Sequence, residues 1–304
     1  MKEGKRPVHT ALSIAGSDSS GGAGIQADLK TMTALGIYGM TAITALTAQN
    51  TTGVSSILEV APGFLAAQLD AVFTDIVPDA VKIGMLASAA LAETAAERLR
   101  YYHAENIVLD PVLVSTSGCE LSEGTAAEAM KRVLCPISRL ITPNIPEAEA
   151  LLGQKIGRTG AEKAAFPGSP QSRGSGDLLS PDEAALRLSE ELGCAVLLKG
   201  GHAGPARFAV DRLAENGRLT YFEAPWIETD NTHGTGCTLS SAIACGLAGG
   251  RSLEESIRLA KRYLTGALSF GLSLGKGAGP LWHGYLQAEE SEMKKQQESN
   301  REQN

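Results

Sequence analysis

The sequence has few cysteines, and their spacing forms no known framework. The five cysteines lie at positions 119, 135, 194, 237 and 245, an odd number without a Cys-x-x-Cys pair. This pattern argues against a disulfide scaffold and against a structural zinc site. Reduced thiols are typical of cytosolic proteins. We therefore expect a cytoplasmic protein whose cysteines are free.

Long apolar runs and an excess of positive charge are also missing. No stretch approaches the roughly 18 apolar residues that a membrane span needs. Residues 11–16 are too short for the apolar region of a signal peptide. The net charge is −7, which disfavours nucleic acid or an anionic membrane as the main partner. The sequence thus predicts a soluble protein with neither partner.

What is present is a regular alternation of strand-like and helix-like segments in 304 residues that are 43% hydrophobic. Residues 9–15, 38–49, 80–83, 106–109, 140–141 and 195–198 have the pattern of strands, and helical segments lie between most of them. This alternation predicts βαβ units and a mostly parallel sheet that is covered on both faces. A hairpin is expected over residues 207–222, around Asn216 and Gly217.

The predicted domain organisation is simple. We expect one domain over residues 1–286, because no stretch of the sequence has the composition of a domain linker. Residues 158–179 are rich in proline, glycine and serine and are expected to be a flexible insertion. Residues 287–304 are almost wholly polar and are expected to be a disordered tail.

The chain is organised around a glycine turn at residues 230–237. Gly234 and Gly236 lie just before a run of small and apolar residues that begins at Cys237 and has the character of a helix. A helix start offers unpaired backbone N–H groups and a partial positive charge. Glycines let an anion approach them closely. The segment predicts a phosphoryl-binding site beside Cys237. Taken alone, it also fits a structural turn before a buried helix.

A second glycine-rich segment, residues 16–24, follows the first predicted strand. Residues 22–27 match the loose dinucleotide-binding pattern, but no acid lies between Asp28 and Glu59 to bind a ribose. A Walker loop is excluded too, since no Gly-Lys-Ser/Thr follows. The segment can let a small molecule approach the backbone, or it can be a structural turn.

Four polar clusters follow predicted strands at their carboxyl ends. They are Asp110, Asn144 with Glu147, Lys199, and the turn at 230–237. Any one of them could simply end a strand or cap a helix. Open parallel sheets bind their ligands at this edge. Carboxylates, a lysine and an anion-binding helix start are the parts that phosphoryl transfer requires.

Several motifs make the sequence similar to a known family. They include Thr-Pro-Asn-Ile-Pro-Glu at 142–147, Lys-Gly-Gly-His at 199–202, Asn-Thr-His-Gly-Thr-Gly-Cys-Thr at 231–238, and the segments 14–30, 47–51 and 82–86. From about residue 12 to residue 283 the chain resembles the hydroxymethylpyrimidine/phosphomethylpyrimidine kinases of thiamine biosynthesis, in the ribokinase-like superfamily. The resemblance implies an α/β three-layer sandwich with a central, mainly parallel sheet. It also implies ATP- and Mg²⁺-dependent phosphorylation of the pyrimidine's hydroxymethyl group, then of the monophosphate, and commonly a homodimer.

The resemblance also implies roles for individual residues. It assigns the pyrimidine site to Gly16, Asp18, Ala23, Gln49, Met85 and Val112. It assigns ATP and its phosphates to Asn144, Lys199 and Thr232, and magnesium to Glu147 and Asp110. The anion hole and the catalytic base correspond to Gly234, Thr235, Gly236 and Cys237. Many sugar kinases of the superfamily carry an aspartate base at the position of Cys237, whereas the pyrimidine kinases carry cysteine.

Alternatives to the pyrimidine substrate remain at this stage. A pyridoxal or pyridoxine kinase has the same fold, and some relatives phosphorylate both rings. Gln49 favours the aminopyrimidine, because an amide can donate to a ring nitrogen and accept from an amino group. A sugar kinase fits Cys237 poorly. A dehydrogenase and a silent binding module fit the combined motifs least.

Overall fold

A computed structural model describes residues 8–113, 124–157, 178–200, 208–288 and 291 of the chain. Its centre is a nine-stranded sheet with the order β3-β2-β1-β4-β5-β6-β7-β8-β9. Six neighbouring strands run parallel, namely β2, β1, β4, β5, β6 and β7. Strand β3 pairs antiparallel with β2, and β8 pairs antiparallel with both β7 and β9. The strands are β1 (Thr10–Asp18), β2 (Tyr38–Asn50), β3 (Gly53–Glu59), β4 (Ala80–Ile83), β5 (Ile107–Leu109), β6 (Leu140–Ile141), β7 (Ala195–Leu198), β8 (Phe208–Glu215) and β9 (Arg218–Pro225).

Helices cover both faces of the sheet and produce three layers. The helices are α1 (Gly24–Ala34), α2 (Pro62–Phe73), α3 (Ala89–Tyr101), α4 (Gly124–Ala129), α5 (Ile145–Leu152), α6 (Pro181–Leu192), α7 (Thr235–Ala248) and α8 (Leu253–Ser269). Successive strand residues face opposite sides. Thus Leu12 and Ile14 join a core with α2 to α6, whereas Ala11 and Val108 join a second core with α7 and α8. The predicted α/β sandwich with a mainly parallel sheet is confirmed.

Local signals place the ends of several helices. Capping boxes start α6 at Ser180 and Glu183, and α8 at Ser252 and Glu255. Helix α5 starts in the same way, with Asn144 as its N-cap and Glu147 three residues later. Among the described residues, no helix is both long enough and apolar enough to cross a membrane.

Some boundaries differ from the sequence-based expectation. Strand β3 was missed because its side chains are mostly solvent-accessible and lack a clear apolar alternation; it pairs with β2 across the turn before Gly53. Strand β1 continues to Asp18, so residues 16–18 are strand rather than loop. Helix α4 continues into a π-helical turn, Met130–Leu134.

Two of the predicted segments lie almost wholly outside the described residues. The insertion expected at 158–179 is described only at its last two residues, and the tail expected at 287–304 only at 287, 288 and 291. Residues 285–288 form a helical turn that packs near Tyr263. The single-domain organisation stays a prediction.

Candidate active site

The carboxyl ends of four parallel strands deliver polar side chains to one edge of the sheet. Asp18 ends β1 and Asp110 directly follows β5. Beyond β6 and β7 the backbones stay paired, because Lys199 N–H donates to the Pro143 carbonyl at 2.9 Å. This pairing brings Asn144 beside Lys199. The edge therefore unites side chains that are far apart in the sequence.

Asp110 and Lys199 form the centre of this cluster. Lys199 Nζ lies 2.9 Å from Asp110 Oδ1, and the two side chains are 14% and 2% exposed. Thr142 Oγ1 donates to the same oxygen at 2.9 Å. Burial would raise the pKa of Asp110, but the charges of Lys199 and Lys82 outweigh it and lower the pKa. Asp110 is thus held as a carboxylate by an ion pair.

Glu147 belongs both to a helix cap and to the cluster. Its Oε2 accepts the Asn144 backbone N–H at 2.8 Å, and the Asn144 side chain accepts the Glu147 N–H at 2.9 Å. The same Oε2 lies 3.8 Å from Lys199 Nζ. Burial raises the pKa of Glu147 to about 7, although the charge of Lys199 works against the shift. Glu147 therefore has two roles: it completes the capping box of α5, and it places a carboxyl group next to Lys199.

The glycine turn faces this cluster, as the sequence predicts. We call residues 232–237 the α7 turn. Gly234 has φ of 87°, a conformation that favours glycine, and no side chain caps the helix. A Cβ at Gly236 would lie 3.2 Å from Asp110 Oδ2 and 3.6 Å from Lys199 Nζ. The open start of α7 therefore lies directly against the Asp110–Lys199 pair.

Cys237 is half-buried in the first turn of α7. Desolvation raises the pKa of its thiol to about 11. The charge of Lys82 and a hydrogen bond from the Gly24 backbone N–H oppose that shift, while Asp28 and Asp110 add to it. At neutral pH the side chain is a thiol that is poised between two lysine–aspartate pairs.

The second of these pairs was not identified from the sequence. Lys82 Nζ lies 2.9 Å from both oxygens of Asp28, and both side chains are fully buried. Ser13 Oγ donates to Asp28 at 2.5 Å and Ser241 Oγ at 2.7 Å. The pair therefore connects β1, β4, α1 and α7 behind the α7 turn. A lysine within the short, otherwise apolar strand β4 was a signal for it in the sequence.

Asp18 organises the second glycine-rich segment. We call residues 18–24 the glycine loop. Asp18 Oδ2 accepts the backbone N–H groups of Gly22 at 3.1 Å and Ala23 at 2.8 Å, and Oδ1 accepts that of Ser20 at 2.8 Å. His233 Nε2 lies 2.8 Å from Oδ2. These hydrogen bonds outweigh desolvation and lower the pKa of Asp18 to about 2. His233 was not singled out from the sequence.

The remaining expected site residues lie around the glycine loop and the cluster. A Cβ at Gly16 would touch the sulfur of Met85 at 3.0 Å, so these two are in contact. Gln49 Nε2 is 3.4 Å from His233 Nε2. Val112 N–H donates to the Asp110 carbonyl at 2.8 Å. Thr232 is exposed at the start of the α7 turn, and Thr235 is the half-buried first residue of α7.

No group of three or more metal-ligating side chains occurs among the residues that the structure describes. Asp110 and Glu147 are nevertheless close, because both approach Lys199 Nζ. One or two carboxylates together with substrate phosphates are the usual ligands of Mg²⁺ at phosphoryl-transfer sites. The donor set therefore fits a metal that arrives with a nucleotide, and it does not fit an all-protein metal cage.

Comparisons with known proteins identify the family. The family model described as phosphomethylpyrimidine kinase matches residues 18–168 and 172–282. The hydroxymethylpyrimidine/phosphomethylpyrimidine kinase of Salmonella typhimurium is 46% identical over 275 residues, which are 90% of this chain and 96% of that protein. The thiamine biosynthesis bifunctional protein ThiED of Geobacter sulfurreducens is 48% identical over 91% of this chain, which spans only 52% of that longer protein.

Solved structures give the same fold. Bacillus subtilis pyridoxal kinase, in an ADP complex, has a TM-score of 0.79 at 34% identity and covers 92% of this chain and 99% of its own. Phosphomethylpyrimidine kinase of Clostridium difficile has a TM-score of 0.68 at 41% identity and covers 84% of this chain and 98% of its own. The family and the fold expected from the sequence motifs are confirmed.

Proposed function

This chain belongs to the phosphomethylpyrimidine kinase family and is an ATP-dependent kinase, and we propose that it phosphorylates 4-amino-5-hydroxymethyl-2-methylpyrimidine and then the monophosphate, in thiamine biosynthesis. One observation carries the proposal. The uncapped start of α7 lies against the Asp110–Lys199 pair, and Gln49 lies nearby, in contact with a residue of the same turn. A phosphoryl-binding turn and a ring-recognising amide are therefore neighbours.

The α7 turn stabilises the phosphoryl group during transfer. Backbone N–H groups at an uncapped helix start point at an anion and need no reorganisation. Lys199 adds a fixed positive charge at the same edge. The substrate hydroxyl oxygen attacks the γ-phosphorus while the bond from phosphorus to the ADP oxygen breaks. The hydroxyl proton passes to the sulfur of Cys237 in its thiolate form, which is a minor fraction at neutral pH because the pKa is raised to about 11.

Magnesium fits this site through Glu147. Both oxygens of Asp110 already face protein donors, namely Lys199 and Thr142 on one and, at 3.5 Å, Ser240 on the other. Glu147 is the carboxyl group whose pKa burial raises to about 7, so it gains from a nearby cation. When bound, the metal neutralises and orients the phosphates. Asp110 then positions Lys199.

The acceptor is selected at Gln49. Its side chain is half-buried, and Thr47 Oγ1 donates to its Oε1 at 3.1 Å. A held amide can pair with both a ring nitrogen and the amino group of an aminopyrimidine. Pyridoxal is the second candidate acceptor, because the Bacillus subtilis pyridoxal kinase is so similar in structure. Pyridoxal cannot make the same pair of hydrogen bonds.

The test measures ATP consumption with the aminopyrimidine alcohol, its monophosphate, pyridoxal and no acceptor. We expect wild type to favour the pyrimidines, and Gln49→Met to lower that preference about ten- to a hundredfold, the cost of an unpaired polar group. Gln154→Met is the matched control, since Gln154 follows α5 and accepts a hydrogen bond from Arg187. A wild type that prefers pyridoxal, or an unchanged ratio in Gln49→Met, would refute the pyrimidine assignment. The homodimer and the cytoplasmic location stay predictions.

A further inference from the structure

The glycine loop and the α7 turn are packed directly against each other. A Cβ at Gly234 would overlap the carbonyl oxygen of Gly22, and a Cβ at Gly22 would overlap Cδ2 of His233. Both glycines are therefore needed for the close approach of the two segments. The loop that borders the acceptor site and the turn that borders the phosphoryl site share one interface.

His233 is the side chain at the centre of that interface. It is 5% exposed, and its Nε2 lies 2.8 Å from Asp18 Oδ2 and 3.4 Å from the Gln49 amide nitrogen. Because the Asp18 carboxylate can only accept, the imidazole carries its proton on Nε2 and donates it to Asp18. The nitrogen of Gln49 can then make only a packing contact with that N–H group.

His233 is also fixed from its backbone. Its N–H donates to the carbonyl of Gly279 at 3.1 Å, and it forms a parallel bridge with Pro280. The imidazole thus projects from a braced backbone, one residue before Gly234. Asp18 in turn accepts the N–H groups of Gly22 and Ala23, so loss of the imidazole removes one of the hydrogen bonds that fix the carboxylate on which the loop is held.

We propose that His233 is a positioning residue that holds the glycine loop and Gln49 in register with the α7 turn, so that the bound acceptor is aligned with the transferred phosphoryl group. The inference rests on the proposed function and extends it to a residue of the α7 turn that had no expected role. His233 acts through Asp18 and through contact with Gln49, and it does not itself touch the reacting atoms.

The proposal predicts a selective kinetic defect. A hydrogen bond to a charged group is worth about ten- to a hundredfold in an equilibrium constant. His233→Ala should therefore raise the KM for the acceptor by about that factor and leave the KM for ATP within about twofold of wild type. His233→Gln, which can still donate to Asp18, should recover part of the affinity. Calorimetry should show the same ranking of affinity for the pyrimidine alcohol in the absence of ATP, with wild type tightest, His233→Gln intermediate and His233→Ala weakest.

A matched control is His283→Gln. His283 is also a buried histidine that contacts α7, since its Nε2 lies 2.9 Å from Thr238 Oγ1, but it is remote from Asp18 and Gln49 in the hydrogen-bond network. We expect this variant to lower Tm as His233→Ala does, with an unchanged KM for the acceptor. If both histidine variants alter the KM for ATP and for the acceptor alike, His233 is only structural and the proposal is wrong.

A second variant tests the contact from the opposite side. The methyl group of Gly22→Ala would displace the His233 imidazole without removing it. An alanine fits the backbone at position 22, because Gly22 does not adopt the left-handed conformation. This variant should reproduce the acceptor defect, whereas Gly63→Ala, where an added Cβ meets no atom within 4 Å, should not. A folded His233→Ala with wild-type acceptor KM would overturn the proposal. If wild type accepts only pyridoxal, the proposed function is wrong. The role of His233 is then decided by measuring the KM for pyridoxal in the same variants.

Discussion

The pH dependence of catalysis tests the role of Cys237 most directly. Its pKa is raised to about 11, chiefly because burial desolvates the thiol. With that pKa, only about one thiol in a thousand is ionised at pH 8, and the fraction rises about tenfold for each pH unit. If the thiolate takes the proton from the substrate, kcat/KM should rise with a slope near one between pH 7 and 9.

The assay is kcat/KM for the pyrimidine alcohol across that range, in wild type and in two variants. Cys237→Ala should lose about 10²–10⁴ in rate, the usual contribution of a general base, and should lose the slope with it. Cys237→Asp should keep part of the rate and give a flat profile, because a carboxylate is already ionised. Alkylation of Cys237 by iodoacetamide, followed by peptide mass spectrometry, reports the thiolate fraction independently of turnover.

A wild-type profile that is flat over this range, with alkylation that rises as expected, would refute the thiolate as base. Full activity in Cys237→Ala would reduce the residue to packing. The range ends near pH 9 for a physical reason. Between pH 9 and 11 the unfolded chain releases the thiol proton while the folded chain keeps it, so the free energy of unfolding falls as pH rises. Cys135 and Cys245, whose pKa values are raised to about 12, add to this loss.

Three further predictions concern the same edge of the sheet. Gly236→Ala places a methyl group 3.2 Å from Asp110 Oδ2 and should cost about 10²–10³ in kcat with little change in Tm; a normal turnover number contradicts the anion hole. Glu147→Gln should raise the Mg²⁺ concentration needed for half-maximal rate, and an unchanged magnesium titration counts against the metal assignment. Lys82→Met leaves the buried Asp28 carboxylate unpaired and should destabilise the protein by about 3–5 kcal/mol in denaturant unfolding, with part recovered by adding Asp28→Asn.

Local patterns were sufficient to predict the parallel sheet and the edge that holds the site. Short apolar runs such as residues 80–83 and 195–198 became strands buried on both faces, because a strand between two helical layers needs apolar side chains on each side. Asp110 and Lys199 were predicted to lie at the same edge of the sheet, since both follow parallel strands. Strand β3 gave no such signal, since its pairing with β2 leaves most of its side chains facing solvent.

The contacts between distant segments could not be predicted in the same way. His233 and Asp18 are 215 residues apart, and Lys82 and Asp28 are 54 apart. Neither pair follows from the hydrophobic periodicity of the sequence. Periodicity shows which face of a helix or strand is buried, but it does not show which side chain of another element that face contacts. Proteins rarely bury charged side chains unless they are paired. A lysine within β4 and an aspartate within α1 were therefore a pair to look for once both elements were predicted to be buried.

The charges of the site account for the proposed need for a cation together with the nucleotide. Lys82 neutralises Asp28 and Lys199 neutralises Asp110, each at 2.9 Å. Glu147 remains, and its raised pKa of about 7 reflects that burial leaves its negative charge poorly compensated. The lysines are thus already paired when the phosphates of ATP arrive, and the partial charge of the α7 start is only about half a unit. A divalent cation beside Glu147 would balance both the phosphates and the carboxylate, which is why loss of this one carboxylate should appear as a weaker response to Mg²⁺.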